Sequence, residues 1–151
     1  MAVTMKQVQM ALDPDEPGYQ PAAQDLGPEA LPFLEEIIRR SDEGLASKAV
    51  YLASLIADDH SSAVVELGAG RAEAGVRVAA AAGALNIAPR LRGPVLLRLL
   101  DDEDVGVKKV ALKAVAGQSD AALIARVEVL ARTGAEPALR SLAQEVLDQV
   151  R

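Results

Sequence analysis

The chain has 151 residues and a formal net charge of −6, and half of it is apolar. That half holds 29 Ala, 20 Leu and 16 Val beside one Phe, two Tyr and no Trp, which suits packed helices rather than the aromatic, β-branched surfaces of a sandwich or barrel. Zero cysteines exclude a disulfide framework, a thiolate metal site and a cysteine nucleophile, and the acidic balance argues against nucleic acid as a partner.

In chain order, Met1 to Leu12 lacks the basic and continuously apolar regions of a secretory signal. Val78 to Leu85, the longest apolar run, is broken by Gly83 and falls far short of the roughly 20 residues of a membrane span. A cytoplasmic location without a membrane partner is expected. Residues 1–27 are crowded by Pro14, Pro17 and Pro21 and leave two readings open. One is a degenerate capping repeat, with Asp15, Ala22 and Leu26 in register and Met5, Val8 and Leu12 striping a short helix. The other is a flexible proline-rich segment.

From there a repeat of about 31 residues organises the chain. Leu45, Val76, Val107 and Leu139 serve as anchors at intervals of 31, 31 and 32. Alanine follows four residues later at Ala49, Ala80, Ala111 and Ala143, and an acid precedes by three at Asp42, Glu73, Asp104 and Glu136. Gly44, Gly75, Gly106 and Ala138 keep the residue before the anchor small. Arg77, Lys108 and Arg140 follow the anchor directly, with Ala46 the exception. The anchor and positions +3, +4 and +7 share one helical stripe, which should face the core. The acid should meet the helix dipole in the first turn and pair with the base four residues on. Companion helices are expected near Ala30–Arg40, Ser62–Gly68, Leu91–Leu100 and Ala121–Arg132. Gly68, Gly70, Gly117 and Thr133-Gly134 should act as stops. The expectation is an all-α chain of helix-turn-helix units at about 28–58, 59–88, 89–118 and 119–151.

Leu26-Gly27-Pro28-Glu29-Ala30-Leu31-Pro32-Phe33-Leu34 resembles the junction between HEAT repeats, and Asp104 through Val115 resembles their second helix. The resemblance spans residues 15 to 151. It implies a right-handed α-solenoid of about five repeats, with the second helices lining the concave side. Among proteins of this type are bilin lyases and DNA glycosylases, so an enzyme of either kind is the alternative to an interaction scaffold.

Residues suited to catalysis are sparse. His60 stands beside Asp58 and Asp59, which could join it around a metal, but a structural metal wants three or four ligands and there is no second His. A polar turn capped by Ser61 or Ser62 is the expected reading. Asp101-Asp102-Glu103-Asp104 lacks the central glycine of a calcium loop and fits capping of the next helix. Gly68-Ala69-Gly70 follows a helix rather than a strand and has no Lys-Ser/Thr pair behind it, so no phosphate loop is read there. Adjacent acids such as Glu35-Glu36 point about 100° apart on a helix and do not form an acid/base pair. No catalytic group, cofactor or metal is therefore assigned, and a protein-interaction scaffold or adaptor is expected.

Charge divides along the chain: residues 1–70 carry 12 acids and 4 bases, residues 71–151 carry 10 acids and 12 bases. Positions +2, +5, +6 and +9 of the anchor helices are expected to point away from the core. They are Ser47, Val50, Tyr51 and Ser54; Val78, Ala81, Ala82 and Leu85; Lys109, Leu112, Lys113 and Ala116; and Ser141, Gln144, Glu145 and Asp148. An apolar patch with a polar rim marks an interaction surface. The expected partner is an amphipathic helix or extended peptide with acidic residues, lying across Val50, Tyr51, Val78 and Leu112 and meeting Lys109 and Lys113. Self-association through Val146, Leu147 and Val150 of the last helix is a further expectation.

Overall fold

The computed structural model describes residues 2–118 and 120–150; Met1, Ser119 and Arg151, which bound expected segments, lie outside the described residues. Among the described residues ten α-helices run α1 Met5–Leu12, α2 Tyr19–Leu26, α3 Leu31–Arg40, α4 Glu43–Ser54, α5 Ser61–Ala69, α6 Ala74–Gly83, α7 Gly93–Leu100, α8 Val105–Val115, α9 Ala121–Thr133 and α10 Pro137–Val150. Short 3-10 turns at Pro28–Ala30, Ala84–Asn86 and Pro89–Leu91 complete the helical structure, and no strand occurs among the described residues. None of these helices is long and apolar enough to cross a membrane.

Local chemistry sets the boundaries. Asp42 and Asp104 stand at the N-cap itself, one residue outside the first turn, and accept from the backbone N–H of Leu45 and Val107 at 3.0 Å. Asp120 does the same for Ala122 and Leu123. Thr4 and Gln7 form a reciprocal capping box at α1. Gly117, with φ +81, closes α8 in the left-handed region as expected of a stop. Gly68 does otherwise. It lies inside α5, and a Cβ built on it would sit 2.5 Å from Val50 Cγ2. Its missing side chain is what lets α5 close on α4, while Gly70 supplies the cap.

The helices pack as two rows. The odd-numbered members α3, α5, α7 and α9 touch in series, the even-numbered α4, α6, α8 and α10 touch in series, and α3–α4, α5–α6, α7–α8 and α9–α10 also pack together as pairs. The two N-terminal helices extend the pattern, α1 against α3 and α2 against α4. Lys48 on α4 ties them down by donating Nζ to the carbonyls of Leu12 (3.1 Å) and Pro14 (2.8 Å).

The core fills the space between the rows. Ala49, Ala80, Ala111 and Ala143 are all fully buried, and their small volume permits the close approach of successive even helices. Positions +7 (Leu52, Gly83, Ala114, Val146) and +8 (Ala53, Ala84, Val115, Leu147) are buried in every anchor helix, whereas +3 is only half-buried. Val146 and Leu147, two of the three residues expected to support self-association, are thus packed inside, while Val150 is half-buried.

Candidate functional site

The outward strip of the even-numbered helices holds some of the residues expected there and excludes others. Val50 and Leu112 are 0% exposed, and so is Ala81 in the same column. The expectation that Val50 and Leu112 meet a partner is corrected: both are core residues. At 100° per residue, +5 falls about 140° from the anchor, next to +8 at about 80°. The buried arc extends from the anchor through +4 and +8 as far as +5, because each inner helix has neighbours in its own row on both sides as well as across the rows. Val50 reaches Gly68 of the following unit, which the anchor stripe alone could not reveal. In α10 the +5 residue is Gln144, exposed and donating to Asp148 at 3.0 Å.

Positions +2 and +6 do form a surface. Tyr51 on α4, Val78 and Ala82 on α6, and Lys109 on α8 are half-buried, while Lys113 is exposed. Leu85, at the 3-10 turn after α6, is 48% exposed, and only Met10 is a more open large apolar side chain among the described residues. On α10 the corresponding Ser141, Glu145 and Asp148 are exposed. From one helix to the next the strip is aromatic, apolar, basic and acidic. Neither Lys109 nor Lys113 takes part in an ion pair among the described residues.

Tyr51 is held in place. The ring of Tyr19 on α2 meets it edge-on at 4.9 Å between centroids and 73° between planes. Burial, and secondarily the neighbouring Tyr51, raise the Tyr19 pKa above that of a free phenol. The apolar side of the strip therefore begins on a rigid pair of rings.

The basic column behaves differently from expectation. Arg77 passes over Glu73 and forms a two-pronged pair with Asp102 at the α7–α8 turn, Nε to Oδ2 at 2.7 Å and Nη2 to Oδ1 at 3.3 Å. Arg77 and Arg140 also donate to the carbonyls six and five residues before them, Arg71 and Ala72 in one case and Gly134 and Ala135 in the other. Lys108 makes no ion pair with Asp104. Glu73 is taken by Arg71 at 2.6 Å, and Arg71 reaches on to the carbonyls of Ile38 and Ser41 at the end of α3. Hydrogen bonding to Glu73 raises the Arg71 pKa and the same bond holds the Glu73 carboxyl below its usual range. Arg77 is raised chiefly by its bond to Asp102. These contacts stitch one helix pair to the next along the turns. The sequence showed the basic column but not the Arg77–Asp102 pair, since Asp102 lies one unit away.

The other polar candidates are dispersed among separate partners. His60 Nε2 meets Glu35 Oε1 at 2.6 Å, Asp58 accepts from the His60 N–H, and Asp59 pairs with Arg90 at 2.6 Å. Of the four-acid run, Asp101 pairs with Arg126, Asp102 with Arg77, and Asp104 caps α8. A cleft of about 340 Å³ opens between the turns after α4 and α6, with the buried Ser54 accepting from Asn86 at 3.1 Å. Sequence reasoning placed Ser54 on the outward strip and did not find this cleft, because only folding brings residues 54–61 beside 86–91. No protein-family model matches the chain, and no curated protein matches it.

Proposed function

We propose that the chain is a right-handed, HEAT-like α-solenoid that serves as a protein-interaction scaffold, with a partner segment seated across the outward strip of α4, α6 and α8. The observation that carries this reading is the strip itself. Val78, Ala82 and Leu85 leave apolar surface open beside Lys109 and Lys113, which pair with no acid among the described residues. Solvated helix faces have no need of that combination, whereas an apolar centre beside unpaired charge gives a partner both contact area and orientation. Tyr51, pinned by Tyr19, is the natural anchor because a fixed aromatic ring binds without losing rotamer freedom. The two-row packing and the fully buried alanine column support the solenoid reading, since the main helix contacts of each unit among the described residues are with its neighbours.

The experiment is selection of a random displayed peptide library against the whole chain. Selected peptides should bind the natural chain and lose binding to Leu85→Glu with Lys113→Glu. Both positions are exposed, so melting should be nearly unchanged. Failure to select any peptide, or binding that survives the double change, would contradict the reading.

A further inference from the structure

We infer that the partner segment is a polyproline-II stretch crossing α4, α6, α8 and α10 in turn, with side chains three residues apart that read apolar, apolar, acidic and basic. This rests on the strip being the binding surface and adds the conformation and residue order of its occupant.

The spacing comes first. Successive even helices pack directly on one another, and packed helices stand about 8–10 Å apart. A polyproline-II chain rises about 3.1 Å per residue and completes a turn in three, so every third side chain returns to the same face after about 9 Å. One such side chain therefore falls on each helix. A β-strand turns alternate side chains to one face about 6.6 Å apart and drifts out of register with the helices. An α-helix laid across the strip returns side chains to one face about 5.4 Å apart, or about 10.5 Å apart over seven residues, and neither step matches about 9 Å.

The order follows from what each helix presents. Tyr51 on α4 offers a ring braced by Tyr19 at 4.9 Å, suited to a proline or other apolar residue. Val78, Ala82 and Leu85 on α6 call for a second apolar residue. Lys109 and Lys113 on α8 call for an acid, and the exposed Glu145 and Asp148 on α10 call for a base. The alternation of charge from α8 to α10 also rejects a uniformly acidic segment, which would gain at one helix and be repelled at the next. Gln20 and Gln24 on α2, exposed at the equivalent places, add no charge at the other end. Because polyproline-II has no internal hydrogen bonds, the segment can lie in either chain direction with the same order of side chains.

The test uses fluorescein-labelled synthetic peptides and the full chain. The first carries leucine, leucine, glutamate and lysine at every third position, with proline and glutamine between. The second exchanges the glutamate and lysine, and the third places the same four residues at every second position. The first should bind about tenfold more tightly than either of the others, and Lys109→Glu with Lys113→Glu should abolish or reverse its preference over the second. Equal affinity for the first and second peptides overturns the residue order, and equal affinity for the first and third overturns the polyproline-II spacing. If none binds while library-selected peptides still depend on Leu85 and Lys113, the inference falls and the scaffold reading stands. If no peptide from either source binds the strip, both fall.

Discussion

Val50 and Leu112 show what one column of a repeat can and cannot disclose. Both were legible as members of the repeat, yet their burial depends on a neighbouring unit that helical periodicity does not represent. Leu112→Ala should cost about 2–5 kcal/mol in chemical denaturation, as for a core leucine, and Leu112→Glu should leave the chain unfolded. A surface residue would change stability by only about 0.5 kcal/mol. The arginine column gives a second case. Arg77 and Asp102 have side chains only 13% and 9% exposed, so Asp102→Ala leaves a guanidinium half-buried without its acid. A loss of about 3 kcal/mol is expected by the same measurement. Glu73 adds a dependence on pH. Its carboxyl is held below the usual range, chiefly by the hydrogen bond from Arg71. Its contribution to stability is therefore present above the unfolded-state value and is lost as pH falls through the lower folded-state value. Glu73→Gln should be less stable than the natural chain near neutrality, and the difference should close in acid. A difference unchanged on acidification would contradict the assignment.

At the scale of elements, helices were the readable feature. Periodicity placed α3, α5, α7 and α9 within two residues at each end, and acids marked the starts of α4 and α8 because side-chain capping is encoded locally. Gly68 was misread as a stop because a glycine near a helix end and a glycine under a neighbouring side chain look identical in one dimension. Its close approach to Val50 makes a sharp prediction for α4 and α5. Gly68→Ala should destabilise by about 1–3 kcal/mol through overpacking, although alanine favours a helix. Adding Val50→Ala should make room for the new methyl. The double variant should then be more stable than the sum of the single effects by at least about 0.5 kcal/mol. Additive losses would show that α5 and α4 do not meet at these residues.

The whole molecule is a succession of helix pairs, and its outward strip gathers residues from positions 51 to 148 that no short motif could join. The all-α architecture was legible because Ala and Leu dominate and recur at a fixed interval. The candidate site was legible only in part: Tyr51, Val78, Lys109 and Lys113 hold their places on the surface, while the Ser54–Asn86 cleft and the Arg77–Asp102 tie required the pairs to be stacked. Ala111 lies at 0% exposure in the middle of α8, where α6 and α10 pack on either side. Ala111→Asp should therefore abolish cooperative melting of the middle units. The most direct measurement of the central claim is two-dimensional NMR of the isotopically labelled chain, titrated with the ordered glutamate-then-lysine peptide. Resonance shifts should concentrate at Tyr51, Val78, Ala82, Leu85, Lys109, Lys113, Glu145 and Asp148, with the odd-numbered helices nearly unchanged. Shifts centred instead on the odd-numbered row, or on the cleft around Asn86, would contradict it.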